Sequence, residues 1–496
     1  MKGKIVVYIS LIVVILSLIP RLLYFDSTEI IGTIHSLRQL DVATIARNIL
    51  IDPSTFFSPT LDRGEGLSST LPMTVGLEFQ LMPLIVAALY SIFGIHTSFG
   101  SILSILFYLG SCLFIYKIAE RYLGMLGIIT TMAIFCFSSQ YIVYSKTFMP
   151  ESEVIFFLLF SFCLFQKFLD DPKRSKLVLF IFILTLSMLV KLTNAYMLPV
   201  YMYLLYKNRK QFSRKSFWMI FTSGVFSLII TLFYYYIINA RADTPYVSGI
   251  LSNLILKNFG QKFVDVDYWD LFFKYLVIYF SPLGILLAII GSKKMFSSNQ
   301  EFLVWFICVF IFEFVSGYAI LSNHIYYFLP TVPIGALLIG AGFQAIIDKI
   351  KKFTKSRIAI SSITIIVLVF LVLQLLFLYQ HYGFTGNKEY ARLQRQDGEE
   401  LNKYFTKTKS SLPIKIGLLR WEEYPVLYYS EQLGWMFTYE EDPVVLERYI
   451  QELVGNDCKY LYISSRDLTT TAAKYLISKY EVVELESIKG RLLEIN

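Results

Sequence analysis

Apolar stretches of roughly bilayer-crossing length recur from the N-terminus to about residue 380. No other feature constrains this chain so tightly. In hydrocarbon every backbone N–H and C=O must be satisfied within the protein, so such stretches are read as helices. Candidate spans lie at roughly 5–25, 98–117, 125–144, 152–169, 177–190, 194–206, 216–238, 269–291, 302–321, 325–347 and 357–379. The two at 177–190 and 194–206 are short, with Lys191 to Asn194 between them. A hydrophobic share of 55% against 17% charged residues is outside the soluble range. The formal charge of +8 is therefore read by position along the chain and is not a nucleic-acid signal. Lys2 and Lys4 precede the first run, but no small-x-small site stands before Pro20 and Arg21, so that run reads as a retained span.

Phe79 to Phe93 is also apolar, but it holds only about fifteen residues and includes Pro83. The distribution of basic residues decides its place. Suppose that it does not cross and that the N-terminus is cytoplasmic. Then Lys117, Arg121, Lys167, Lys173, Arg174 and Lys176 fall inside. So do the clusters from Lys207 to Lys215, at Lys293 and Lys294, and from Lys349 to Arg357. A crossing at 79–93 would invert all of them. About eleven spans follow, with 79–93 as a surface or re-entrant helix. The outer side then receives the loop 26–97, the turn 145–151, the Lys191 turn, the loop 239–268, the turn at Ser322 to His324 and the tail beyond Gln380.

The tail is polar and alternates helix and strand patterns. Lys388–Lys409, Val444–Val454 and Thr469–Lys479 read as helices. Ile414–Leu419, Tyr460–Ile463, Glu481–Glu484 and Leu492–Ile495 read as short strands. A small α/β domain with partly parallel strands is expected at 381–496, behind a transmembrane domain at 1–380. No Gly-rich phosphate loop occurs at its strand ends. Cys112, Cys136, Cys163 and Cys308 lie in apolar runs and Cys458 stands alone in the tail, so no disulfide framework or zinc spacing exists.

Within the first outer loop, His35 to Leu50 reads as a short helix on the membrane surface. Ser36 and Gln39 have capping-box spacing. Leu40, Ala43, Ala46 and Leu50 form an apolar edge opposite Arg38, Asp41 and Arg47. Asp41, just past the first turn, could be a helix-end charge or a general base at the membrane surface. The same side collects Glu78, Glu151, Lys191 and His324. Glu78 could be a helix N-terminal charge, or a second carboxylate that orients a substrate or binds a cation; Glu151, after Pro150, could be a first-turn charge or a substrate-binding group. Lys191 could snorkel or contact a phosphate. His324 could belong to an interfacial belt with Tyr326 and Tyr327, donate to a phosphate, or bind a divalent cation with Glu78.

These residues resemble those of a known family. The carrying motifs are H-S-L-R-Q-L-D-V-A-T-I-A-R-N in the first loop and G-L-E-F-Q-L-M-P-L before the short helix, followed by M-P-E-S, V-K-L-T-N and H-I-Y-Y-F-L-P. Over about residues 1–380 the chain resembles the C-type integral-membrane glycosyltransferases, of the protein O-mannosyltransferase and aminoarabinose-transferase kind (glycosyltransferase family 39-like). The resemblance implies a polytopic α-helical membrane protein that takes a sugar from a polyprenyl-phosphate donor and passes it to an extracytoplasmic acceptor. It assigns Asp41 the place of the catalytic base, Glu78 that of a loop acid and Glu151 that of an acid after the third span. Val42 stands where mannosyltransferases often carry a second acid. Glu78-Phe79-Gln80 stands where the aminoarabinose type has Glu-Lys-Pro, which leaves Lys191, Arg38 or His324 to meet the donor phosphate. No nucleotide is required, and inversion at the anomeric carbon follows from a single displacement. Two other classes fit the composition. A transporter or flippase would favour internal repeats, of which none is visible, and an assembly protein would work through its exported tail alone.

Overall fold

The computed structural model describes residues 2–23, 35–67, 69–244, 259–317, 324–353, 357–382, 388–408, 413–437, 441–485 and 487–495. Residues 245–258 of the expected outer loop, and Ser322 and Asn323, lie outside the described residues. The chain divides into two units. The first comprises Met1–Phe25, Ser101–Tyr236 and Val247–Phe384; the second comprises Asp26–Gly100, Ile237–Tyr246 and Thr385–Asn496.

The first unit is helical. Seven described helices are long and apolar enough to cross a membrane: Lys4–Leu22, Ser98–Tyr122, Glu151–Asp170, Arg214–Ala240, Val266–Ser298, Thr331–Phe353 and Ser361–His381. Met125–Phe137, Ser139–Tyr144, Arg174–Val190, Leu198–Lys207 and Gln300–Ser316 are shorter helices. Large apolar side chains such as Phe226, Phe233 and Tyr236 are exposed on Arg214–Ala240, as expected where lipid takes the place of water.

Helix Thr331–Phe353 packs against its neighbours through glycine. A Cβ on Gly342 would lie 1.9 Å from the Leu287 carbonyl oxygen, and one on Gly291 would lie 1.9 Å from that of Leu338. Backbones approach this closely because lipid supplies no hydrophobic drive between helices and contact must come from shape. Helix Val266–Ser298 is kinked at Ser281 (φ 62°), just before Pro282. Pro282 has no N–H to offer the carbonyl of Ile278, and the Ser139 hydroxyl donates to that oxygen instead. The Ser138 hydroxyl donates to Tyr279 O in the same way at 3.2 Å.

The second unit contains two sheets. Strands β1 (Thr60–Leu61) and β3 (Met73–Thr74) pair antiparallel. The larger sheet has the order β2-β5-β4-β6-β8-β7, with β2 at Arg63–Glu65, β4 at Lys415–Leu418, β5 at Leu433–Met436, β6 at Tyr460–Ile463, β7 at Glu481–Val483 and β8 at Arg491–Glu494. The first four strands in that order run parallel, and β8 is antiparallel to β6 and β7. Leu446, Ile450 and Leu453 of helix Pro443–Gly455 and Leu476 of Thr471–Lys479 form a core with Leu461 and Leu493 of the sheet. The four strands expected in the tail are present within a residue or two. The sheet also takes β2 from the first loop, and β5 follows a short helix, Tyr424–Ser430, that the tail's pattern did not reveal.

Candidate functional site

Helix Ser36–Ile51 begins at the expected cap, so its N-cap lies one residue earlier. His35 is the N-cap, Ser36 is already helical, and the capping box does not form. The helix is also not an amphipathic rod with one wet face, because every residue from Gln39 to Arg47 is buried. The reason is that its polar side is covered by the β1–β2 segment and by helix Tyr424–Ser430.

Asp41 is 6% exposed. Arg63 of β2 grips it with two parallel bonds, Nε to Oδ1 at 3.0 Å and Nη2 to Oδ2 at 3.1 Å. This fork-on-carboxylate geometry fixes the plane of the acid as well as its charge. Nearly two turns along, Arg47 pairs with Asp62 and donates to the Tyr428 carbonyl at 2.7 Å, with its guanidinium 4.6 Å from the Tyr428 ring centroid. Tyr424 shares a 2.9 Å hydrogen bond with the Thr44 hydroxyl, and the Arg63 guanidinium lies 5.5 Å from its ring centroid. Burial, with the charges of Asp41 and Asp62 adding to it, pushes the Tyr424 phenol well above its ordinary range, so the group stays a neutral donor. Arg38 pairs with Glu78, just ahead of helix Leu81–Phe93.

The other candidates lie in the first unit. Lys191 caps the C-terminal end of helix Arg174–Val190, and Glu151 opens helix Glu151–Asp170; each charge suits its helix end. Lys191 Nζ lies 2.9 and 2.8 Å from the two Glu151 oxygens. Tyr326 and Tyr327 stack on one another and place their ring centroids 4.7 and 4.9 Å from the same ammonium. These groups line a small cavity with Val154, Ile155, Phe312 and Pro330. Asn194 is buried and donates to Val154 O and to Ser187. His324 packs beside Tyr326, with ring centroids 5.4 Å apart.

The structure therefore brings Lys191 and Glu151 together and joins Arg38 to Glu78. Asp41 receives a partner, Arg63, that sequence reading did not single out. Its signal was present: Asp62-Arg63-Gly64-Glu65 is a run of alternating charge in the same loop as Asp41. Among the described residues no group of three or more His, Cys, Asp or Glu side chains could hold a metal ion. Glu78 is engaged by Arg38.

Residues 80–236 match the family model described as dolichyl-phosphate-mannose-protein mannosyltransferase. Among solved structures, apo ArnT from Cupriavidus metallidurans superposes with a TM-score of 0.59 at 11% identity, covering 98% of this chain and 97% of that one. The chain has the fold of the C-type membrane glycosyltransferases. This fold extends over 100% of the chain against ArnT bound to undecaprenyl phosphate, which is 13% identical, with a TM-score of 0.57 and 98% of that chain covered. It is shared with the Archaeoglobus fulgidus oligosaccharyltransferase AglB in complex with an inhibitory peptide and a dolichol-phosphate. There the TM-score is 0.60 at 11% identity, with 96% of this chain and 71% of that one covered. A comparison of the sequence with curated proteins finds no match.

Proposed function

We propose that this chain is a membrane glycosyltransferase that moves a sugar from a polyprenyl-phosphate carrier to an extracytoplasmic acceptor, with Asp41 as general base. The observation that carries the reading is the buried, doubly hydrogen-bonded carboxylate of Asp41 in a fold that ArnT presents with undecaprenyl phosphate bound. The Arg63 fork uses one lone-pair direction on each Asp41 oxygen and leaves the others for an acceptor. The acceptor O–H or N–H gives its proton to Asp41 as its oxygen or nitrogen bonds to the anomeric carbon. The bond from that carbon to the phosphate oxygen breaks, polyprenyl phosphate leaves, and the centre inverts. Lys191, held by Glu151, and Arg38 and His324 are the candidate groups to meet the phosphate charge. Residues 1–380 carry the transfer in this reading, and 381–496 dock the acceptor. The loop 26–97 and the tail share the outer side, with the N-terminus cytoplasmic.

The test is to incubate purified protein with a panel of polyprenyl-phosphate sugars and follow release of polyprenyl phosphate. Replacing the base should cost at least roughly 10²–10⁴-fold in turnover. Asp41→Asn, with insertion into the membrane intact, is expected to show that loss, and full activity in Asp41→Asn removes the residue as base.

A further inference from the structure

Asp41 is held by a residue that belongs to the tail's sheet. Arg63 is the first residue of β2, and β2 lies parallel to β5 with Arg63 opposite Gly434, Gly64 opposite Trp435 and Glu65 opposite Met436. Gly64 makes this docking possible. A Cβ there would lie 2.2 Å from the Ser69 hydroxyl and 2.7 Å from Cδ1 of the Trp435 ring, so the strand can sit on Trp435 only if it carries glycine at this position. Two further ties join the catalytic helix to helix Tyr424–Ser430 of the tail, Thr44 to Tyr424 and Arg47 to the Tyr428 carbonyl.

We infer that Arg63 is the positioning residue of Asp41, and that the α/β tail, by fixing β2 on β5, sets the orientation of the catalytic carboxylate. The inference rests on Asp41 being the base. A carboxylate that can rotate about its last bond must be oriented to take a proton in line, and a lone point charge does not impose that orientation. A fork of Nε and Nη2 does, provided that its own backbone is fixed. In this chain the backbone of Arg63 is fixed by strand pairing with the tail. The tail is thereby part of the catalytic apparatus as well as a docking platform.

The experiment measures kcat and donor KM, per active site titrated, on the full-length enzyme carrying Arg63→Ala, Arg63→Lys, Gly64→Ala, or Gly64→Ala with Arg63→Ala. Misplacing a reacting group by about 1 Å costs roughly 10²-fold. Arg63→Ala should therefore lower kcat by about 10²-fold while donor KM stays within about twofold, the pattern of an interaction that acts on the transition state. Arg63→Lys, which restores the charge but not the fork, should recover only part of the loss. Gly64→Ala should lower kcat with Arg63 present and add little when Arg63 is already alanine, because both act on one contact. Should Arg63→Ala not accumulate as folded protein, Arg63→Lys and Gly64→Ala decide the matter on the same terms. Wild-type kcat in Arg63→Ala beside a dead Asp41→Asn overturns this inference and leaves the proposed function standing. An equal loss from Gly64→Ala in both backgrounds also overturns it. Activity retained in both Asp41→Asn and Arg63→Ala removes the base assignment and this inference together.

Discussion

Lys191 and Glu151 show how a single charge is made tolerable at the end of a span. Their side chains are only 15% and 4% exposed, so removing either takes a buried ionic partner from the other. Breaking a buried pair from one side costs roughly 3–5 kcal/mol. Lys191→Ala should therefore lower the thermal stability of the purified protein as well as raise the donor concentration needed for half-maximal rate. Adding Glu151→Gln should recover the stability and leave the donor effect. An unchanged donor requirement in the double variant would make the pair a structural tie only. Lys191 was legible in the sequence because it interrupts two short apolar runs. Its attachment to Glu151 was not, since the partners stand on different helices and only the packing brings them together. Glu423, in the tail, offers a pH test. Burial raises its carboxyl above the ordinary 4.5, although Tyr390 and Gln394 donate to it. A carboxyl raised on folding contributes stability that is complete below 4.5 and is lost as pH climbs through the raised value. Hydrogen exchange in the tail's sheet should therefore slow, relative to the Glu423→Gln variant, as pH is lowered from neutral towards 4.5, once intrinsic rates are corrected.

Among the elements, those with long apolar periodicity or a strong composition change were readable in advance. Tyr460–Ile463 forms the expected strand, and helix Leu81–Phe93 has the expected short length. The elements that escaped reading are those whose formation depends on a distant neighbour. Strand β2 is three residues long with glycine at its centre and has no strand pattern of its own; β5 supplies the hydrogen bonds. The burial of helix Ser36–Ile51 escaped for the same reason, because its cover comes from the far end of the chain. The glycine contact between helices Val266–Ser298 and Thr331–Phe353 gives a prediction at this scale. A leucine at Gly342 would meet the Leu287 carbonyl, whereas a Cβ on Gly224 would have nothing within 4 Å. Overpacking of this kind costs roughly 1–3 kcal/mol or more. Gly342→Leu should lower the melting temperature in detergent and Gly224→Leu should leave it nearly unchanged; equal effects would refute the close-packing account.

For the whole molecule, the parallel pairing of β2 with β5 limits how the chain can thread the membrane. Both strands must be on one side, so an even number of crossings separates residue 65 from residue 433. With the ten expected spans between them all crossing, that condition requires that 79–93 not cross. A reporter fused to the C-terminal end of the full chain should report the side opposite the cytoplasm. A cytoplasmic signal would place the first loop there as well and overturn the proposed sidedness. The overall class of the protein was legible because the bilayer demands long apolar helices; the joint between first loop and tail was not, because a strand of three residues leaves no periodicity to read.

That joint also sets a schedule. Arg63 leaves the ribosome early, whereas Gly434, its neighbour across the sheet, leaves only after the last apolar helix has been made. Until then β2 has no strand to lie against, and the fork on Asp41 has no fixed support. A nascent chain, or one cut short before β5, would carry the described long apolar helices and still lack the strand that fixes Arg63 on Asp41. If Asp41 is the base proposed above, such a chain is expected to show no transfer until β5 has been made.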